Sequence, residues 1–155
     1  MKIFTESQRM ADSTFNKIIL ILVIILLGKT VYNGFIDGIN SISIFSIVIL
    51  TLGILVFIVF KLKTTITAEG IEAKITPFNI YNKTFSWNEI KKCEVVKYSA
   101  LKEYGGWGYR RGKNGVAINP SGDKGLKIYF KNGTQILLGT NKADELTEFL
   151  KSIKR

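Results

Sequence analysis

Apolar residues are spread unevenly along this chain. They crowd between Ile18 and Leu62, and the residues beyond alternate as in a soluble domain. Ile18 to Leu27 is an unbroken run of ten apolar residues. A hydrocarbon core of ~30 Å needs about 20 helical residues, so the run must be extended to cross one. Phe15 in front and Val31, Tyr32, Phe35 and Ile36 behind supply that extension. Lys29 lies inside it, close enough to an end to snorkel toward headgroups. The second segment, Ile42 to Phe60, carries no charge and stops at Lys61 and Lys63. The pattern predicts two transmembrane helices, over about 15–36 and 42–61. A cleaved signal peptide is discounted, because no small-x-small site follows the first run and a second span comes directly after it.

The residues Asp37-Gly38-Ile39-Asn40-Ser41 between the two runs leave room only for an antiparallel hairpin. Both chain ends then emerge on one side. Lys2, Arg9, Lys17, Lys61 and Lys63 lie on that side, against Asp37 and at most Lys29 at the loop. The positive-inside rule therefore predicts both ends inside the cell. Residues 1–14 are expected as a cytoplasmic tail, 15–62 as the hairpin and 63–155 as the soluble domain.

Past Thr64 the period becomes that of strands. Thr65-Ile66-Thr67 and Ile71 to Ile75 flank the turn Ala68-Glu69-Gly70, and Ile80 to Trp87 and Ile90 to Tyr98 follow. Asn114-Gly115 and Asn132-Gly133 are hairpin turn signals, and Ser121 to Gly125 is a further turn. Leu126, Ile128 and Phe130 alternate with Lys127 and Lys131, and Gln135 to Gly139 pairs back on them. The last segment predicts a helix over about 142–154. Asn141 is its expected cap, Asp144 and Glu145 its acidic first turn, and Lys151, Lys154 and Arg155 its basic end. Ala143, Leu146, Phe149, Leu150 and Ile153 form an apolar stripe whose partner must be the sheet. The expected fold is membrane-anchored α+β. A two-helix transmembrane hairpin precedes a barrel of about seven strands in meander order, capped by one C-terminal helix.

Composition narrows the function. Net charge is +10, and residues 61–155 hold 18 Lys and Arg against 9 Asp and Glu. This suits a surface beside an anionic leaflet, and equally an ordinary Lys-rich solvated surface. The chain has no histidine, which removes the commonest general base and metal ligand. Its single cysteine, Cys93, permits no intramolecular disulfide and reads as a small buried hydrophobe. The carboxylates show no paired-acid or metal spacing. No enzyme, metal or cofactor is expected.

Trp87-Asn88-Glu89-Ile90, then Tyr104-Gly105-Gly106-Trp107-Gly108-Tyr109-Arg110-Arg111, then Asn132 to Thr140 ahead of an acidic helix start, carry a resemblance. In this order they resemble small bacterial membrane proteins with two N-terminal transmembrane helices and a pleckstrin-homology (PH)-like domain. The resemblance covers roughly residues 15–155 and implies the PH-like barrel and the membrane tether. It implies no shared biochemical activity. PH domains that grip phosphoinositides place a basic cluster around the first hairpin. Here that hairpin has Glu69 and Glu72, with Lys74 its lone basic residue, which argues against that ligand.

Tyr104 to Gly112 is the most unusual segment, three aromatics alternating with glycines ahead of two arginines. One reading is an aromatic loop that meets a membrane interface or a partner, with Trp107, Tyr109, Arg110, Arg111 and Lys113 as contact residues. The other, which the sequence favours, is a glycine-bearing strand whose Trp107 and Tyr109 fill the core. The scattered glycines lack the Lys-Ser/Thr ending of a nucleotide loop. The expected function is a non-enzymatic, membrane-anchored module in the plasma membrane of a bacterium. It would bind a protein or peptide partner, or a second copy of itself. The alternative is a sensor of anionic lipid through its basic and aromatic face. Nucleic acid is not an expected partner.

Overall fold

The computed structural model describes residues 2–77, 79–112 and 115–153. Strand β1 (Phe4–Arg9) leads through a 3-10 turn (Met10–Asp12) into helix α1 (Thr14–Asp37). Helix α2 (Ser41–Val59) returns antiparallel and feeds strand β2 (Lys61–Ile66). Local chemistry sets the helix ends. The Ser13 hydroxyl accepts from the Asn16 amide at 3.1 Å, and Asn40 Oδ1 accepts from the Ser43 amide at 2.9 Å. Gly38, with φ of 90°, breaks α1 where a side chain would be strained. Both helices are long and apolar enough to cross a membrane. Apart from a half-buried seam where they pack on one another, through Leu20, Val23 and Leu27 of α1 and Leu50, Ile54 and Phe57 of α2, their apolar side chains are exposed, from Ile18 and Leu22 on α1 to Ile49 and Leu55 on α2.

Strands β3 (Gly70–Thr76), β4 (Asn82–Ser86), β5 (Ile90–Lys97), β6 (Gly108–Gly112), β7 (Gly115–Asn119), β8 (Lys124–Phe130) and β9 (Gln135–Gly139) follow. A short helix α3 (Ala100–Tyr104) sits between β5 and β6, and helix α4 (Ala143–Ser152) comes last. One sheet has the order β1-β2-β3-β4, all antiparallel. The other has the order β5-β8-β9-β7-β6. Ile66, Ile71 and Ile75 of the first sheet meet Ile118, Leu126, Ile128 and Leu138 of the second, and Leu146 of α4 closes this core. A second cluster, Tyr98, Ala100, Tyr104, Ala117 and Leu137, lies on the opposite face of the second sheet under α3. That is why β9 is buried on both faces.

Four expectations are corrected. The described residues form nine strands rather than about seven: residues 4–9 add one ahead of the helices, and Gly108 to Asn119 holds two, β6 and β7. The sheets do not close into a barrel, since among the described residues no ladder joins an edge of one to an edge of the other. The second sheet is not a meander. Strand β9 inserts between β8 and β7 and runs parallel to β7. Asn141 does not cap α4, whose N-cap is Lys142 with no side-chain bond. The Asn141 side chain is taken by the N-terminal strand instead, its Oδ1 accepting from Gln8 Nε2 at 2.9 Å.

The N-terminal strand also binds the domain through buried polar groups. Glu6 accepts from the Thr140 hydroxyl and the Asn141 amide, and Gln8 Nε2 donates to the Ser121 carbonyl at 3.1 Å. At the foot of α1, Asn16 Nδ2 donates to the carbonyls of Met10 at 2.7 Å and Pro120 at 3.1 Å. Glu6, Gln8 and Asn16 are all buried, and their bonds to Thr140, Ser121 and Pro120 are made out of water, where leaving one unmade is costly.

Candidate functional site

Strand alternation decides what the Tyr104 to Gly112 segment presents. On β6, Tyr109 and Arg111 point to one face and Arg110 to the other. Tyr109 is 46% exposed, so it does not fill the core. Its ring lies 5.8 Å from that of Tyr81, just ahead of β4, and Lys83 Nζ sits 5.9 Å over the Tyr81 ring. Between β4 and β6 the unclosed sheets leave a cleft of about 530 Å³, lined by Tyr81, Lys83, Tyr109, Arg111, Phe130 and Lys131 among others. Arg110 turns away and donates from Nε to the Trp107 carbonyl at 2.9 Å. Trp107 is half-buried. Its Nε1 donates to the Gly122 carbonyl at 3.0 Å, and its ring packs 5.2 Å from that of Phe15 at the start of α1. The structure therefore divides the five candidate residues. Tyr109 and Arg111 share a cleft, Trp107 and Arg110 support the foot of the first helix, and Lys113 lies outside the described residues.

Tyr81, Lys83 and Lys131 were not singled out from the sequence. They come from the entry to β4, β4 itself and the β8–β9 turn, and nothing in a linear pattern pairs those with β6. Burial, and secondly Tyr109, pushes the Tyr81 phenol up to about 12, and burial pushes Tyr98 up to about 12. An unfolded tyrosine ionises near 10. Both groups therefore add stability that is complete below pH 10 and lost as pH rises through about 12. A phenolate absorbance titration of the folded protein is expected to show Tyr81 and Tyr98 ionising late. The Tyr81→Phe variant should lose one of these late steps, and an unchanged late amplitude would refute the assignment.

A second groove, also about 530 Å³, runs between β5, the edge strand of its sheet, and α4. Trp87, Cys93, Val95, Leu150 and Ile153 give it an apolar floor. Lys91, Lys92 and Lys151 line its rim with Glu94 as the one carboxylate. Lys92 Nζ lies 2.7 Å from Glu94, and this hydrogen bond holds the Glu94 carboxyl below the usual range. Burial raises the Cys93 thiol, the opposite of what an activated nucleophile needs. Among the described residues no cluster of three or more His, Cys, Asp or Glu is placed to hold a metal.

The arrangement can grip a ligand by charge, aromatic surface or an open strand edge. The family described as bacterial PH domain matches residues 3–155, from the first strand through both apolar helices to the last helix. No curated protein matches the chain. With β1, the helix pair and the two sheets all inside the matched region, the chain belongs to the bacterial PH domain family.

Proposed function

We propose that this protein is a non-enzymatic PH module anchored in a bacterial plasma membrane, which binds a protein or peptide partner, or a second copy of itself, beside the bilayer. The observation that carries the anchoring is the exposure of apolar side chains along two helices, everywhere but the seam between them, on a folded domain. In water that surface would far exceed the apolar patches that soluble monomers tolerate, whereas a bilayer covers it. The basic residues Arg9, Lys17, Lys61 and Lys63 flank the domain-side helix ends, and Asp37 lies at the far turn, which supports a cytoplasmic domain. A reporter fused behind residue 155 should be active only inside the cell; activity only outside would overturn this orientation.

The open edge of β5 beside α4 supports the partner reading. An extended peptide can add to an edge strand while its side chains enter the apolar floor. A photo-crosslinking residue replacing Val95 in the full-length protein, irradiated in its own membrane, should give a discrete adduct with a protein or with another copy. Crosslinks to neither would overturn it. The basic cleft at Tyr109 and Arg111 favours the second reading, sensing of anionic lipid at the same membrane.

A further inference from the structure

We propose that the cleft between β4 and β6 holds one anionic phospholipid of the leaflet that α1 and α2 enter, its phosphodiester gripped by Lys83 and Arg111 behind a mouth formed by Tyr81 and Tyr109. The inference deepens the lipid-sensing reading and rests on the two helices crossing a bilayer. Strand register locates the mouth. Lys61, one residue past the end of α2's C-cap Phe60, pairs with Arg9 on one side and Thr76 on the other. The turn after Thr76 therefore lies at the end of the sheet from which both helices leave. Ile80 in that turn is 67% exposed, and Tyr81 follows it.

The other wall has the same polarity. Gly108, where β6 begins, pairs with Asn119, and the neighbouring Pro120 carbonyl is bonded to Asn16 at the foot of α1. Trp107, one residue earlier, packs on Phe15. Strands β4 and β6 thus both run away from the helices, with Tyr81 and Tyr109 at their membrane ends. Lys83 and Arg111 each lie two residues farther along, about 7 Å deeper at the rise of a strand. Aromatic rings at the headgroup level with cations just behind them match an interfacial phosphodiester. None of the ion pairs among the described residues uses Lys83, Arg111 or Lys131. Their charge faces the cleft against one carboxylate, that of Glu89.

The test uses the full chain in nanodiscs of phosphatidylcholine with a minor share of phosphatidylglycerol, released gently and read by native mass spectrometry. The wild type should retain one phosphatidylglycerol per chain. The double variant Lys83→Gln, Arg111→Gln should bind it about 30-fold more weakly, from roughly fivefold per basic residue at an anionic surface. Lys97→Gln, Lys102→Gln removes equal charge outside the cleft and should retain the lipid, as should Lys83→Arg. Equal retention in both double variants would overturn the inference. Displacement of the lipid by inorganic phosphate would also overturn it, marking a general oxyanion site. A chain that never enters the nanodisc would overturn the spanning reading and this inference together, whereas entry without retention would overturn the inference alone.

Discussion

A fragment beginning at Lys63 is expected not to fold, although it contains every strand past β2 and the last helix. Strand β1 precedes both apolar helices and supplies what the fragment lacks. Phe4 is 3% exposed in the main core, and its ring packs 5.7 Å from that of Phe149 on α4. Without β1 and the start of β2, Thr140 and Asn141 lose their carboxylate acceptor, and the sheet is left with an unprotected edge. The register also dictates the remedy. Arg9 and Lys61 are direct partners across the β1–β2 ladder, so the whole helix pair occupies the place of a hairpin loop. Partnered residues lie about 5 Å apart, within reach of a short linker. Residues 2–9 joined through a Gly-Ser linker to residues 61–155 should therefore melt cooperatively, with sheet-type circular dichroism and monomeric elution. The fragment from Lys63 should aggregate or melt without a transition. Equal melting behaviour of the two proteins would overturn this account of β1.

In that same linked protein, Glu6→Ala is expected to cost about 3 kcal/mol, because two hydrogen bonds to its carboxylate are lost at once and the Thr140 hydroxyl is left buried without its partner. Glu6 is 6% exposed, so water cannot readily replace the carboxylate. Thr5→Ala, on the exposed face of the same strand, should stay within about 0.5 kcal/mol of the parent. Urea unfolding with an unchanged slope is the measurement. A Glu6→Ala cost no larger than that of Thr5→Ala would show that β1 is held by its backbone ladder alone.

Several elements are legible in the sequence because their signal is local. Ile18 to Leu27 and Ile42 to Phe60 declare long apolar helices by their uninterrupted lack of charge. Leu126, Ile128 and Phe130 alternate with lysines because β8 has one face on the main core. Asn132-Gly133 turns the chain because Gly133 takes a φ of 84°, and the stripe from Ala143 to Ile153 follows the helical period. Strand β1 gives no such signal. Its inward residues are Phe4, Glu6 and Gln8, and two polar side chains among three do not read as a core face. Glu6 and Gln8 become core residues only because Thr140, Asn141 and Ser121, more than 110 positions away, supply their partners.

The candidate site divides in the same way. Tyr104 to Arg111 stands out by composition, and strand alternation alone sets Tyr109 and Arg111 on one face and Arg110 on the other. The sequence by itself thus determined the apolar helix pair, the strand-rich region, the terminal helix and the unusual aromatic segment, since each depends on neighbours a few residues apart. Tertiary structure decided that residues 4–9 complete a sheet, that the sheets stay unclosed, and that Tyr81 and Lys83 stand opposite Tyr109 and Arg111. The physical reason is that register and sheet order are settled by which distant surfaces bury one another, and no local period along the chain records that choice.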